Sequence, residues 1–182
     1  MNEGLSPAAD LVALRASLAR IDGFVAHPAF ASVAPAISGW SAEQHVAHLT
    51  LANELVLRNL KNLARREGLL VQRGARPSPE ATALLAAGVI PRGRAQSPRM
   101  VRPPEVVERE LLLGWLADGV RGYAELDPAG LRDDDVCVPH QLLGPLNGVH
   151  WMRFALVHTR HHLVIASEVL ATADGAADAL EI

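Results

Sequence analysis

Leu11, Leu14, Leu18 and Ile21 recur at three- and four-residue spacing, the period of one face of an α-helix. Ser6 is placed to cap this segment and Pro7 suits its first turn, so the pattern predicts a helix over about residues 7–21, with Gly23 to end it. A second segment opens at GWSAEQ, where Ser41 followed three residues later by Gln44 has the form of a capping box. It runs to about Glu67, ahead of Gly68, with Leu49, Val56 and Leu63 one heptad apart. A third helix is expected behind Pro103 and Pro104, with Glu105 near the positive end of its dipole and a stop at Asp127-Pro128. Its Gly114, Gly119 and Gly122 each cost roughly 1 kcal/mol of helix propensity relative to Ala, which points to close helix approach. A fourth follows Asn147, its expected cap, and runs to about Ala171, leaving the tail at 173–182 frayed or docked in part.

Between the second and third helices lies a connection rich in Pro and Gly, about residues 68–103, with helical turns expected around Pro79–Ala87. A second irregular stretch covers about residues 127–146. No run of alternating β-branched residues calls for a sheet, so the expected fold is all-α: a four-helix bundle with long connections. At 182 residues the chain suffices for one core and is too short for two ordinary domains, so a single domain over 1–182 is expected.

Composition narrows the function. No apolar stretch approaches the roughly 20 residues of a membrane span, and the acidic start MNEGLSPAAD is unlike a signal peptide. A cytoplasmic protein with no membrane partner is the expectation. Cys137 is the only cysteine, so neither an internal disulfide nor a thiolate zinc cluster can form within one chain. Its flanking Val136 and Val138 suggest a small buried hydrophobe rather than a working thiol. A net charge of -3 argues against nucleic acid as a partner. The arginine-rich connection from Arg65 to Arg102 does not reverse this, because no aromatic residue lies between Trp40 and Trp115 to stack on bases.

The histidines stand out. Five of the eight fall in two clusters, His45 with His48 and His158 with His161 and His162. On the last helix the core stripe reads Trp151, Phe154, His158, His162, Ile165, Val169, so two imidazoles occupy positions that belong to apolar side chains. Residues four apart sit one turn above each other, and His158 and His162 can aim at one metal ion. The same spacing also serves two core histidines hydrogen-bonded to neighbours. His48, beside Leu49 and Ala52 on the second helix, can supply a third imidazole across the bundle. Three nitrogen donors without a fourth protein ligand suit Zn, Ni or Fe(II) and keep positions open, as at catalytic sites. Thr159 and Arg160 fill the interior of the histidine pair, so the metalloprotease HExxH is absent, as are GxSxG, Walker A and GxGxxG. No general base can be named.

Trp40-Ser41 followed by His48 in GWSAEQHVAHL, the pair His158 and His162 in HTRHHLVI, and the preceding HQLLGPLNGVHWMRF together resemble the DinB/YfiT-like superfamily of four-helix metalloproteins. The last stretch looks most like its branch called domain of unknown function 1569. The resemblance covers nearly the whole chain. It implies that His48, His158 and His162 are the ligands of one divalent ion, Zn, Ni or Fe, with water, a thiol or substrate in the open positions. It further implies a homodimer and thiol-dependent transferase or isomerase chemistry with an exogenous low-molecular-weight thiol; an ion held by three imidazoles equally allows a hydrolase that uses metal-bound water, on a small-molecule substrate in either case. A non-catalytic metal-binding or stress-related interaction protein on the same bundle is the alternative.

The chain departs from the family pattern at His45, where an apolar residue is usual, and at Val164 and Ile165, where Gln is common. His45 is accordingly an alternative ligand, a hydrogen-bond donor to a ligand, or a half-exposed surface residue. His161 is expected in an inter-helix hydrogen bond rather than in coordination, His140 at the pocket mouth or in a turn, and Trp151 and Phe154 in the core or lining the cavity.

Overall fold

The computed structural model describes residues 4–93 and 96–180, with side chains to residue 173. It is mostly helical and also contains a small sheet. In chain order the elements are α1 (Pro7–Ala19), α2 (Ile21–Val25), α3 (Ala42–Arg65), β1 (Gln72–Arg73), α4 (Pro79–Ala87), α5 (Arg109–Ala124), β2 (Val136–His140), β3 (Gly144–Leu146) and α6 (Gly148–Leu180). Among the described residues no helix is long and apolar enough to cross a membrane.

Capping chemistry sets most helix starts. The Ser6 hydroxyl accepts from the Ala9 amide at the start of α1. At α3 the box is complete, with Ser41 Oγ accepting from the Gln44 amide and Gln44 Oε1 from the Ser41 amide. Asn147 caps α6 by accepting the His150 amide. The first helix does not run to Ile21 unbroken. The chain turns at Arg20 and re-enters a short helix that includes Gly23, so Gly23 ends nothing.

The four long helices share one core. α3 packs against α6 and α5, and α1 against α6 and α5, burying Leu14, Ile21, Leu49, Leu60, Leu112, Tyr123, Met152 and Val169 between them. A buried polar bridge ties three of these helices together: Asn53 Nδ2 donates to Thr159 Oγ1 at 3.1 Å, and the Tyr123 hydroxyl donates to the Asn53 carbonyl at 3.2 Å. Because Thr159 follows His158 directly, this bridge fixes the rotation of α6 against α3 where the two histidine faces meet.

Three further expectations need correction. The two connections together form a sheet of order β1-β2-β3, antiparallel throughout: β1 comes from the 68–103 connection and β2 and β3 from the stretch at 127–146, with Arg73 opposite Val136 and Val138 opposite Leu146. Val136, Cys137 and Val138 bury their side chains, and Trp151 Nε1–H donates to the Val138 carbonyl at 3.0 Å, so the sheet braces the first turn of α6. The third helix starts at Arg109 rather than just behind Pro104, with Glu108 as its uncapped N-cap. The last helix continues to Leu180 instead of ending near Ala171, consistent with the alanine-rich run after it and no proline to stop it. The end of the tail, 181–182, lies outside the described residues.

Of the three α5 glycines, one makes a close approach. A Cβ on Gly122 would lie 2.2 Å from Leu57 Cδ2 of α3, whereas Gly114 and Gly119 face open space. Gly114→Ala and Gly119→Ala should each stabilise the protein by about 0.5–1 kcal/mol, since they gain helix propensity without a clash. Gly122→Ala should gain nothing or lose about 1 kcal/mol, because Leu57 must move. Urea denaturation of the three variants checks this; equal gains at all three positions would contradict the packing described.

Candidate metal centre

The site lies where α3 and α6 pack together. His45 and His48 sit one turn apart near the capped start of α3, and His158 and His162 sit one turn apart on α6. Helix geometry alone thus stacks two imidazoles on each wall. The rings converge: centroids of His48 and His162 are 4.4 Å apart, those of His158 and His162 4.7 Å, and those of His48 and His158 5.1 Å. His48 is buried and the other two half-buried. One nitrogen from each of the three lies within 4.8 Å of the others, and among the described residues no Asp, Glu or Cys completes a further group of this kind.

These residues fit a metal ion. Nε2 of His48 and Nε2 of His158 are 3.3 Å apart. Two nitrogens bound at about 2.05 Å to one tetrahedral ion stand about 3.3 Å apart, so this pair already has a ligand-to-ligand spacing. Proton positions support the same use. Nδ1–H of His48 donates to the Val101 carbonyl at 2.7 Å, with Ser97 Oγ at 3.3 Å from the same nitrogen. A carbonyl can only accept, so Nδ1 carries the proton and Nε2 keeps its lone pair for a metal.

The four imidazoles that meet between α3 and α6 are all favoured in the neutral form. Burial, reinforced by their histidine neighbours, holds His158 and His162 well below the usual histidine range. Burial also lowers His48, partly offset by its bond to Val101, and burial followed by the charges of His48, His161 and Arg92 brings His45 to about 4. Neutral imidazole is the form that binds a metal, so protons compete weakly here at neutral pH.

The remaining expected residues divide. His45 is buried at 3% exposure, which excludes the surface option, and its Nδ1 lies 3.0 Å from Nδ1 of His162. His161 is half-buried and edge-on to His162 at 5.0 Å, and it makes no inter-helix hydrogen bond among the described residues. His140 is both a turn residue and a neighbour of the site: its Nδ1 accepts the amides of Leu142 and Leu143, and its ring meets Phe154 at 4.5 Å. Phe154 in turn stacks on His158 at 5.1 Å. Burial brings His140 to about 4. Trp151 and Phe154 are core residues, at 3% and 9% exposure.

Cys137 takes no part in the cluster. It lies on β2, donates to the Ala75 carbonyl at 3.3 Å, and burial together with nearby Asp134 and Asp135 pushes its thiol up to about 11, so it stays protonated at neutral pH.

Several contributors carry no signal in the sequence. Val101 acts through its backbone carbonyl, which any residue would supply, and Ser97 and Ser38 are isolated serines in loops. Trp40 forms a wall of the site, its ring 5.2 Å from His48 and 5.4 Å from His45. Away from this cluster, buried His150 holds α4 to α6: its Nδ1 bonds Asn147 Oδ1 at 2.8 Å and its Nε2 lies 3.0 Å from Thr82 Oγ1. Comparison with known protein families, characterised proteins and solved structures finds no match to the chain.

Proposed function

We propose that this chain is a divalent-metal-binding protein of the DinB/YfiT-like kind, a four-helix metalloprotein that works as a metal-dependent enzyme of thiol-transferase or hydrolase type. The observation that carries the reading is the convergence of His48, His158 and His162, with Nε2 of His48 and of His158 at the spacing of two ligands on one ion. Zn, Ni and Fe all accept this donor set. When bound, a divalent ion supplies a Lewis acid that polarises a carbonyl or phosphoryl oxygen and acidifies a coordinated water or thiol.

The chain's own residues do the rest. His48 is oriented by the Val101 carbonyl, and Phe154 packs against the face of His158. With three neutral donors, the ion's charge is left uncompensated by the protein, which favours an anionic fourth partner such as a thiolate. A small-molecule substrate and a homodimer belong to the same proposal. Leu111 and Trp115, exposed one turn apart on α5, offer such a dimer an apolar contact.

The test is to strip the protein with a chelator, reload it with Zn, Ni or Fe(II), and assay thiol transfer and ester or amide hydrolysis in each state. Turnover that disappears on stripping and returns on reloading is the expected result. Stoichiometric metal without turnover on any such substrate would replace the enzyme with the non-catalytic metal-binding protein.

A further inference from the structure

His45 is buried against the centre without belonging to the three-nitrogen group. Two imidazole nitrogens 3.0 Å apart share one proton, so between His45 Nδ1 and His162 Nδ1 one donates and the other accepts. The far side of His45 is also tied, with Nε2 2.9 Å from Ser38 Oγ. Ser38 Oγ already accepts the Trp40 amide at 3.0 Å and has a second lone pair to offer. Two proton arrangements satisfy this chain of contacts. In one, Ser38 donates to His45, His45 donates to His162, and His162 is protonated on Nε2 and cannot bind a metal through it. In the other, His45 Nε2–H donates to Ser38, His162 Nδ1–H donates to His45, and Nε2 of His162 keeps its lone pair. Val101 imposes the equivalent arrangement on His48, so a metal-ready cluster requires the second.

We infer that His45 is a positioning residue, a neutral hydrogen-bond acceptor anchored by Ser38 that presets His162 in the Nδ1–H tautomer and leaves Nε2 as the coordinating atom. The inference rests on the metal reading above and adds the outer partner of its third ligand. Most outer partners of metal-bound histidines are carboxylates, carbonyls or waters. An imidazole here does the same without adding negative charge, so the ion keeps its full pull on an anionic ligand.

The experiment has two readouts. The first is Zn(II) affinity, measured by competition with a chromophoric chelator, for wild type, His45→Leu and His45→Asn. Asn places its Oδ1 where the histidine has Nδ1, so it restores an acceptor that Leu lacks. His45→Leu should bind Zn(II) about 10- to 100-fold more weakly. His45→Asn should lie within about 3-fold of wild type, a rescue that a pure packing role would not produce. Equal losses in both variants, or no loss in either, would overturn the inference.

The second readout needs no metal. Long-range 1H–15N NMR of the imidazole rings in the chelator-stripped protein should show the proton of His162 on Nδ1 and that of His45 on Nε2. The reverse assignment would overturn the inference. If wild type binds no Zn(II), the metal reading fails, while the NMR assignment still decides the tautomer.

Discussion

The double replacement His158→Ala/His162→Ala should abolish stoichiometric divalent-metal binding while leaving the helical fold in place. Structural zinc sites are worth about 10–16 kcal/mol at neutral pH, so each of three donors carries about 3 kcal/mol or more, and losing two weakens binding by about 10⁴-fold. The remaining His48 Nε2 would be a lone donor in a buried setting. Isothermal titration with Zn(II) or Ni(II) measures the loss, and far-ultraviolet circular dichroism shows whether the fold persists. The fold should survive, because the α3 to α6 contact rests on Val46, Leu49, Val56, Ala155 and Val169 as well as on the Asn53 to Thr159 bridge. Full metal occupancy in the folded double variant would place the ion elsewhere.

Arg153→Met should be the most destabilising of the single polar changes, and its cost should depend on pH. The Asp10 side chain on α1 is only 4% exposed, and Arg153 Nε–H donates to its Oδ2 at 3.0 Å while Nη2 donates to the Gly4 carbonyl at 2.6 Å. Burial raises the Asp10 carboxyl above its usual range even though Arg153 pulls it down. Removing Arg153 leaves a buried carboxylate without its cation, at a cost of about 3 kcal/mol at pH 7. The carboxyl then titrates still higher in the folded state than in the unfolded one. A raised folded pKa means that the folded protein holds its proton where the unfolded chain has lost it. The variant therefore gains stability as pH falls through that raised value toward the ordinary carboxylate range, and loses it as pH rises. Urea denaturation at pH 7 and pH 5 should show a smaller difference from wild type at pH 5. An equal or larger deficit at pH 5 would mean that Asp10 is solvated in the variant.

The helices and the histidine pair were legible because their signals are local. Ser41 with Gln44, Ser6 with Pro7 and Asn147 announce helix starts through side chains that bond amides two or three residues on, and the structure uses each of them. The spacing of His158 and His162 likewise settles that both lie on one face. The sheet was not legible: strands of two, five and three residues are too short to display a period of two, and Pro139, Gly144 and Pro145 read as turn. The end of α6 is hidden in the sequence for the opposite reason, since a polar, alanine-rich tail has good helix propensity but no apolar stripe to mark it.

The site divides along the same line. That His48 meets the α6 pair depends on how two helices far apart in sequence rotate against each other, which the buried Asn53, Thr159 and Tyr123 fix in three dimensions. Outer contacts escape sequence reasoning most completely. The partner of His48 is a backbone carbonyl within the irregular 68–103 connection, and the contact of His45 with His162 spans 117 positions of the chain.

On the proposed reading, His48, His158 and His162 hold one divalent ion. The most direct measurement is metal content per chain by inductively coupled plasma mass spectrometry, on protein purified without a His-tag and without added metal, then again after incubation with Zn(II) or Ni(II) and desalting. About one equivalent in either state, falling sharply in His48→Ala, is the predicted result. Wild-type protein that is metal-free as purified and retains none after incubation would contradict it, and the three histidines would then be a hydrogen-bonded cluster in the core.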